Sequence, residues 1–199
     1  MAAKPAHKGH IAAINKASSE CDEVHVFVSL GDRIRPKEVP VYGSDMEIIW
    51  KSQLENIMPP NVVIEYVKVP VASAYDFAGQ IDKSDTDAMV IFYADDEDLA
   101  KNFPEDKMSK YVPNLWAKGR VEGRITQRLF SGTKMRQMLG AGDVFGFKKM
   151  LPDGIDKELV WDLLSTAAAK PILAKVKKPV KKTTKLESRQ PSLKRLIFT

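Results

Sequence analysis

Two short stretches hold the residue types from which an anion-handling site can be built. His7-Lys8-Gly9-His10 puts two of the chain's three histidines within four residues, directly after Pro5 and at the start of a helical pattern. Gly9 lets the backbone approach a ligand closely, and the free N–H groups of a helix N-terminus, with the dipole behind them, favour negative charge. Imidazoles placed there can donate to phosphate oxygens. The second stretch is Phe130-Ser131-Gly132-Thr133-Lys134-Met135-Arg136. It follows an expected strand and opens an expected helix, so two hydroxyls, backbone amides and two cations converge where an anion would be held. Each stretch alone also has a plainer explanation: solvated loop histidines in the first, an N-cap with a basic first turn in the second. Zinc is poorly supported, because the histidine spacing is not H-E-x-x-H and Cys21 and His25 supply no convincing further ligands.

The elements that must position these residues follow from periodicity. Within residues 1 to 169, short apolar runs alternate with segments of helical period, which predicts an α/β domain built on a parallel sheet flanked by helices. The expected strands are Val24 to Leu30, Val62 to Val69, Ala88 to Ala94 and Ile125 to Phe130, each rich in β-branched or aromatic residues. One helix is expected from about His10 to Ser18. Another is announced by Ser44 with Glu47 three positions later, the pattern of a capping box, and is stopped by Pro59-Pro60. Asp95 to Asp98 suit the positive end of a third helix dipole. A fourth helix starts at Thr133 and ends by Gly140, and a fifth runs from Asp156 to about Ala168. Trp50 and Trp116 are expected in the core, although either ring can stack on a base.

Composition sets outer bounds. A chain of 199 residues suits one domain of ordinary size plus an extension. A single cysteine, Cys21, excludes an internal disulfide framework and favours a reducing compartment. No apolar run approaches the length that spans a bilayer, and the first residues lack the apolar core of a signal peptide, so a cytoplasmic protein with no membrane partner is expected. The net charge of +5 divides unevenly. Residues 170–199 hold 10 Lys/Arg against one acidic residue, a charge of +9, while the rest holds 21 against 25, a charge of −4. The tail alternates Lys with Pro, Val and Thr and has too little apolar surface to offset its ordering entropy. The expectation is therefore a domain over residues 1–169 and a basic, flexible tail over 170–199. That tail is either a solvated linker or a polyanion contact, and Leu196-Ile197-Phe198 at its end can dock onto something.

Taken together the two stretches are far more specific than either. H-x-G-H near the N-terminus and S-x-T-x-x-R after a later strand resemble the nucleotidylyltransferase superfamily, whose members typically show G-x-F-x-P-x-H-x-G-H and I-S-x-T-x-[IV]-R. Pro5, His7, Gly9, His10, Ser131, Thr133 and Arg136 match that pattern, and the resemblance spans about residues 1 to 150. It implies a Rossmann-like domain that joins a nucleoside monophosphate to a phosphorylated acceptor and releases pyrophosphate, by in-line attack without a covalent intermediate. His7, His10 and Arg136 would be the catalytic groups. Lys4, Gly9, Ser131, Gly132, Thr133, Lys134 and Asp95 would bind the nucleotide, with Thr133, Arg136 and neighbouring amides on its β- and γ-phosphates. Arg33 and Lys37, in a loop at a carboxyl strand end, would grip the acceptor phosphate. Mg²⁺ would accompany the triphosphate with few protein ligands, and no metal-binding residue is assigned.

Several choices stay open at this level. ATP is favoured over CTP because S-G-T-K-M-R looks closer to the adenylyl-transferring branches, and the acceptor can be nicotinamide mononucleotide or phosphopantetheine. A homo-oligomer is compatible with the sequence, and a rival reading is a non-catalytic nucleotide- or nucleic-acid-binding protein acting through the tail. Lys107-Met108-Ser109-Lys110 is similar to a signature of class I aminoacyl-tRNA synthetases, but it lies in a polar, Pro-flanked stretch and is read as coincidence. One departure matters. The family has a central strand ahead of the H-x-G-H loop, whereas here only six residues precede His7 and Met1 falls where the family has glycine. The expectation is a truncated or missing central strand, with the natural start upstream of Met1 or residues 1 to 5 making a minimal strand.

Overall fold

A computed structural model describes residues 3–36, 38–84, 87–126, 130–169 and 194–198, with residues 167–169 and 194–198 defined by backbone alone. The chain begins with α1 (Lys8–Glu20) and β1 (Glu23–Ser29), followed by α2 (Gly43–Ile49), β2 (Val62–Val67) and α3 (Pro70–Lys83). Then come β3 (Met89–Ala94), α4 (Asp96–Asn102), α5 (Glu105–Tyr111), α6 (Pro113–Ala117) and β4 (Val121–Ile125). Helices α7 (Gly132–Ala141), α8 (Val144–Met150) and α9 (Lys157–Ala169) precede β5 (Lys194–Phe198). The strands pair in parallel in the order β2-β1-β5-β3-β4. This is a mixed α/β architecture, and no helix among the described residues is long and apolar enough to cross a membrane.

Strand alternation explains how the helices cover both faces. In β1 the sequence Val-His-Val-Phe-Val is buried throughout, as a strand covered on both sides requires. Val24, Val26 and Val28 share one apolar cluster with Ile91 and Tyr93 of β3, and Ile14 of α1, Met135 of α7 and Leu164 of α9 pack there. Phe27, Val90 and Phe92 point to the other face, against Ala74 and Ala78 of α3 and Met108 of α5. Trp50 is fully buried and Trp116 packs at the edge of the second cluster, which agrees with core roles for both. Met108 of the synthetase-like tetrapeptide is a core residue on α5.

Three expectations need correction. The fourth strand is Val121–Ile125 rather than Ile125 to Phe130, and residues 127–129 lie outside the described set. As an edge strand with one exposed face it tolerates Glu122, Gly123 and Arg124, so its sequence does not look like a core strand. Ser44 does not cap α2. Tyr42 is the N-cap residue, and after Ile49 the helix continues through a π turn (Trp50–Leu54) and a 3₁₀ turn (Glu55–Ile57). The third correction concerns the tail: residues 194–198 form β5 in the middle of the sheet, where the sequence reading left a strand missing. The rest of residues 170–199 lies outside the described residues.

Gly43 ties the loop after β1 to α2. Its N–H donates to Asp32 Oδ1 at 2.8 Å, and a Cβ built on it would overlap the Leu30 carbonyl oxygen. The nearest atoms that this Cβ would meet all belong to the Leu30 backbone, so the backbone must move to admit a methyl group. Gly43→Ala is expected to cost about 1–3 kcal/mol, a fall in melting temperature of about 2–12 °C for a chain of this size. Thermal unfolding followed by circular dichroism checks this, and an unchanged melt would show that the loop yields freely.

Candidate functional site: a basic cleft at the carboxyl edge

His7 is the N-cap residue of α1 and has extended backbone geometry. Its carbonyl accepts the His10 N–H at 2.9 Å, while its own N–H donates to Nδ1 of His10 at 3.1 Å. The histidine at the third helical position thus plays the part that Glu plays in a capping box. One chemical consequence follows. Because Nδ1 accepts a backbone N–H, the neutral His10 ring carries its proton on Nε2 and presents a donor there. The two imidazoles stack with centroids 3.7 Å apart and planes 19° from parallel. Gly9 makes this possible, since a Cβ on it would lie 3.1 Å from His7 Nδ1 and 3.2 Å from the Phe130 ring.

Phe130 belongs to the second stretch, so the structure brings the two together. Ser131 is the N-cap residue of α7, and Gly132, Thr133 and Lys134 form its first turn. Arg136 lies buried on the same helix with each guanidinium nitrogen donating a hydrogen bond. Nη1 donates to the Lys4 carbonyl at 2.6 Å, Nη2 to Thr133 Oγ1 at 2.9 Å, and Nε to Glu38 Oε2 at 2.9 Å. The residue that the motif assigns to phosphate binding therefore clamps three segments: the loop before α1, the first turn of α7 and the loop after β1. Lys4 is also largely buried, with Nζ 3.5 Å from Ser29 Oγ at the end of β1. Burial pushes its pKa down, Asp32 opposes that, and Arg33 adds to it.

A cleft of about 680 Å³ opens beside these helix ends, within the size range of small-molecule sites, about 300–1,000 Å³. Lys8, Lys134 and Lys149 line it together with Ser131, Phe130 and Met138. Lys8 pairs with exposed Asp153 at 3.3 Å. The donors are cations and a hydroxyl, a set suited to an anion. Among the described residues no group of three His, Cys, Asp or Glu could hold a metal ion.

The remaining candidates fall at different places. Arg33 sits in the loop after β1, with Nε 3.7 Å from Glu38 Oε2 and its backbone bridged to Val41. It is thus joined through Glu38 to Arg136. Lys37 lies outside the described residues. Asp95 stands at the carboxyl end of β3 as N-cap of α4, where its Oδ1 accepts the Asp98 N–H at 2.9 Å. Sequence reasoning missed Lys149, Lys8 and Glu38. Lys8 was inside the first motif, Lys148-Lys149 between buried Phe147 and Met150 was a readable signal, and Glu38 carried none.

Fold and cleft define a mixed α/β protein with a cleft lined by three lysines beside the first turns of α1 and α7. No family model matches this chain, and no curated protein matches it either.

Proposed function

We propose that the protein is a nucleotidylyltransferase, transferring a nucleoside monophosphate from a triphosphate, with ATP favoured, to a phosphorylated small molecule. The observation that carries this reading is the approach of His7 and Gly9 to Phe130, which brings the first stretch against the second beside a cleft lined by Lys8, Ser131, Lys134 and Lys149. A triphosphate needs several cations and N–H donors converging from more than one element, and two helix N-termini with three lysines supply them. His10 Nε2 and His7 would donate to charge that develops at the α-phosphorus, and Lys134 and Lys149 would hold the leaving pyrophosphate. In this reading Arg136 and Lys4 position the loop, Thr133 is shared between Arg136 and the phosphates, and Arg33 faces the acceptor. The sheet is then a Rossmann-like one, with the ligand outside its carboxyl ends. Mg²⁺ would accompany the triphosphate with few protein ligands, since no carboxylate lines the cleft among the described residues.

The test is a screen of the four nucleoside triphosphates against phosphorylated nucleotides, pantetheine, alcohols and sugars, with pyrophosphate as the readout. One productive pair is expected; no pyrophosphate with any pair would overturn the proposal. With the productive pair, Lys149→Gln is expected to raise the KM for the triphosphate about fivefold at low salt and much less at high salt, as for one exposed, screened charge contact.

A further inference from the structure

We infer that residues 194–198 are the structural first strand of this sheet and form one strand–loop–helix unit with residues 3–20, assembled from two parts of the chain far apart in sequence. The strand is central. It pairs with β1 from Glu23↔Arg195 to Val26↔Phe198 and with β3 from Met89↔Lys194 to Tyr93↔Phe198. Remove it, and β1·β2 and β3·β4 become two separate ribbons whose inner edges carry unpaired N–H and C=O groups among the buried side chains of Val24, Val26, Val90 and Ile91.

The winding order makes the same point. Numbered along the chain, the sheet returns to its own middle only at the end. With β5 counted first, it reads 3-2-1-4-5, the order of doubly wound sheets, with the reversal between β5 and β3. Each crossover then has a helix in place. Helix α1 packs on β1 after β5, α2 lies between β1 and β2, and α3, against β1 and β5, carries the chain back across the sheet to β3.

The loop that opens α1 is anchored at the carboxyl edge of the sheet, the edge toward which β5 runs parallel to β1. Lys4 reaches Ser29 at the carboxyl end of β1, the strand beside β5, and Arg136 holds the Lys4 carbonyl. In space, therefore, strand, turn and helix N-terminus follow one another as they do in phosphate-binding βα turns, although about 190 residues separate strand from turn along the chain. The candidate site is complete only when residues 194–198 are seated, and this does not depend on the transfer reaction.

Two variants test it. In the first, residues 170–199 are placed ahead of Met1 and the chain ends at residue 169, joined either directly or through a short Gly-Ser segment. At least one of these forms is expected to give the parental circular dichroism spectrum, a cooperative melt within about 5 °C of the parent, and unchanged affinity for inorganic tripolyphosphate. In the second, Leu196→Pro removes a ladder N–H from the middle of the sheet and is expected to lower the melting temperature by about 10 °C. Loss of cooperative melting in both rearranged forms, or a parental melt in Leu196→Pro, overturns the inference. Melting as expected in a protein that binds no triphosphate before or after rearrangement would count against the proposed function and leave the strand assignment standing.

Discussion

Under the proposed transfer reaction, His10→Asn is expected to melt like the parent and to release pyrophosphate about a hundred- to a thousandfold more slowly, the loss typical of deleting one preorganised donor to developing charge. The substitution separates two jobs done by one ring. Nδ1 of His10 accepts the His7 N–H at 3.1 Å and closes the first turn of α1. Asn Oδ1 occupies much the same place as Nδ1 and can accept the same N–H, so the cap survives. Nothing in Asn reaches as far as Nε2, so the donor is lost. His10→Ala removes both and is expected to lose about 1 kcal/mol of stability as well, the usual value of a cap. Steady-state rates with the productive substrate pair, beside thermal melts of both variants, make the comparison. Parental turnover in His10→Asn would remove Nε2 from the mechanism.

How much of this was legible in the sequence depends on how far apart the cooperating residues lie. The two helix-opening turns could be read because a helix N-terminus is encoded within about six residues: His7, Gly9 and His10 in one case, Ser131 to Lys134 in the other. Strands β1 and β3 were legible for a similar reason, since a strand buried on both faces must be apolar at nearly every position; β2, a half-buried edge strand, was legible because Val62, Val63, Ile64, Tyr66 and Val67 are β-branched or aromatic. Strand β4 was misplaced because an edge strand is under no such demand, and Arg124 pairs with both Glu122 and Glu20. Strand β5 escaped for the opposite reason: Leu196-Ile197-Phe198 is strand-like, but it follows a lysine-rich run, and nothing local says that its partners are Val24 and Ile91. The role of Arg136 was hidden in the same way. Its partners Glu38 and Lys4 are 98 and 132 residues away, so the motif identified the residue while only the fold shows what it holds.

That hidden role leads to the second large effect. Arg136→Met is expected to lose about 2–4 kcal/mol, somewhat less than breaking a wholly buried ion pair because Glu38 keeps some contact with solvent. The melting temperature should fall by about 10 °C. Methionine fills similar space but leaves the Lys4 carbonyl without its donor, so the loop carrying His7 loosens and tripolyphosphate binding weakens with it. The pH dependence identifies the partner. Burial pushes the Glu38 carboxyl up, but the guanidiniums of Arg136, Arg33 and Arg35 outweigh it and hold the pKa below its ordinary value of 4.5. A carboxyl depressed on folding adds stability above its unfolded value, and that stability drains away as pH falls through the folded one. The parent should therefore lose stability on acidification below about pH 4.5, and Arg136→Met should lose less, narrowing the gap between them. Adding Glu38→Gln to Arg136→Met removes the carboxylate that has lost its nearest partner and keeps only the longer contact with Arg33, and is expected to recover part of the loss at pH 7, a coupling that denaturant titrations of the four proteins measure directly. Strictly additive losses would mean that Arg136 stabilises the protein through the Lys4 carbonyl and Thr133 alone.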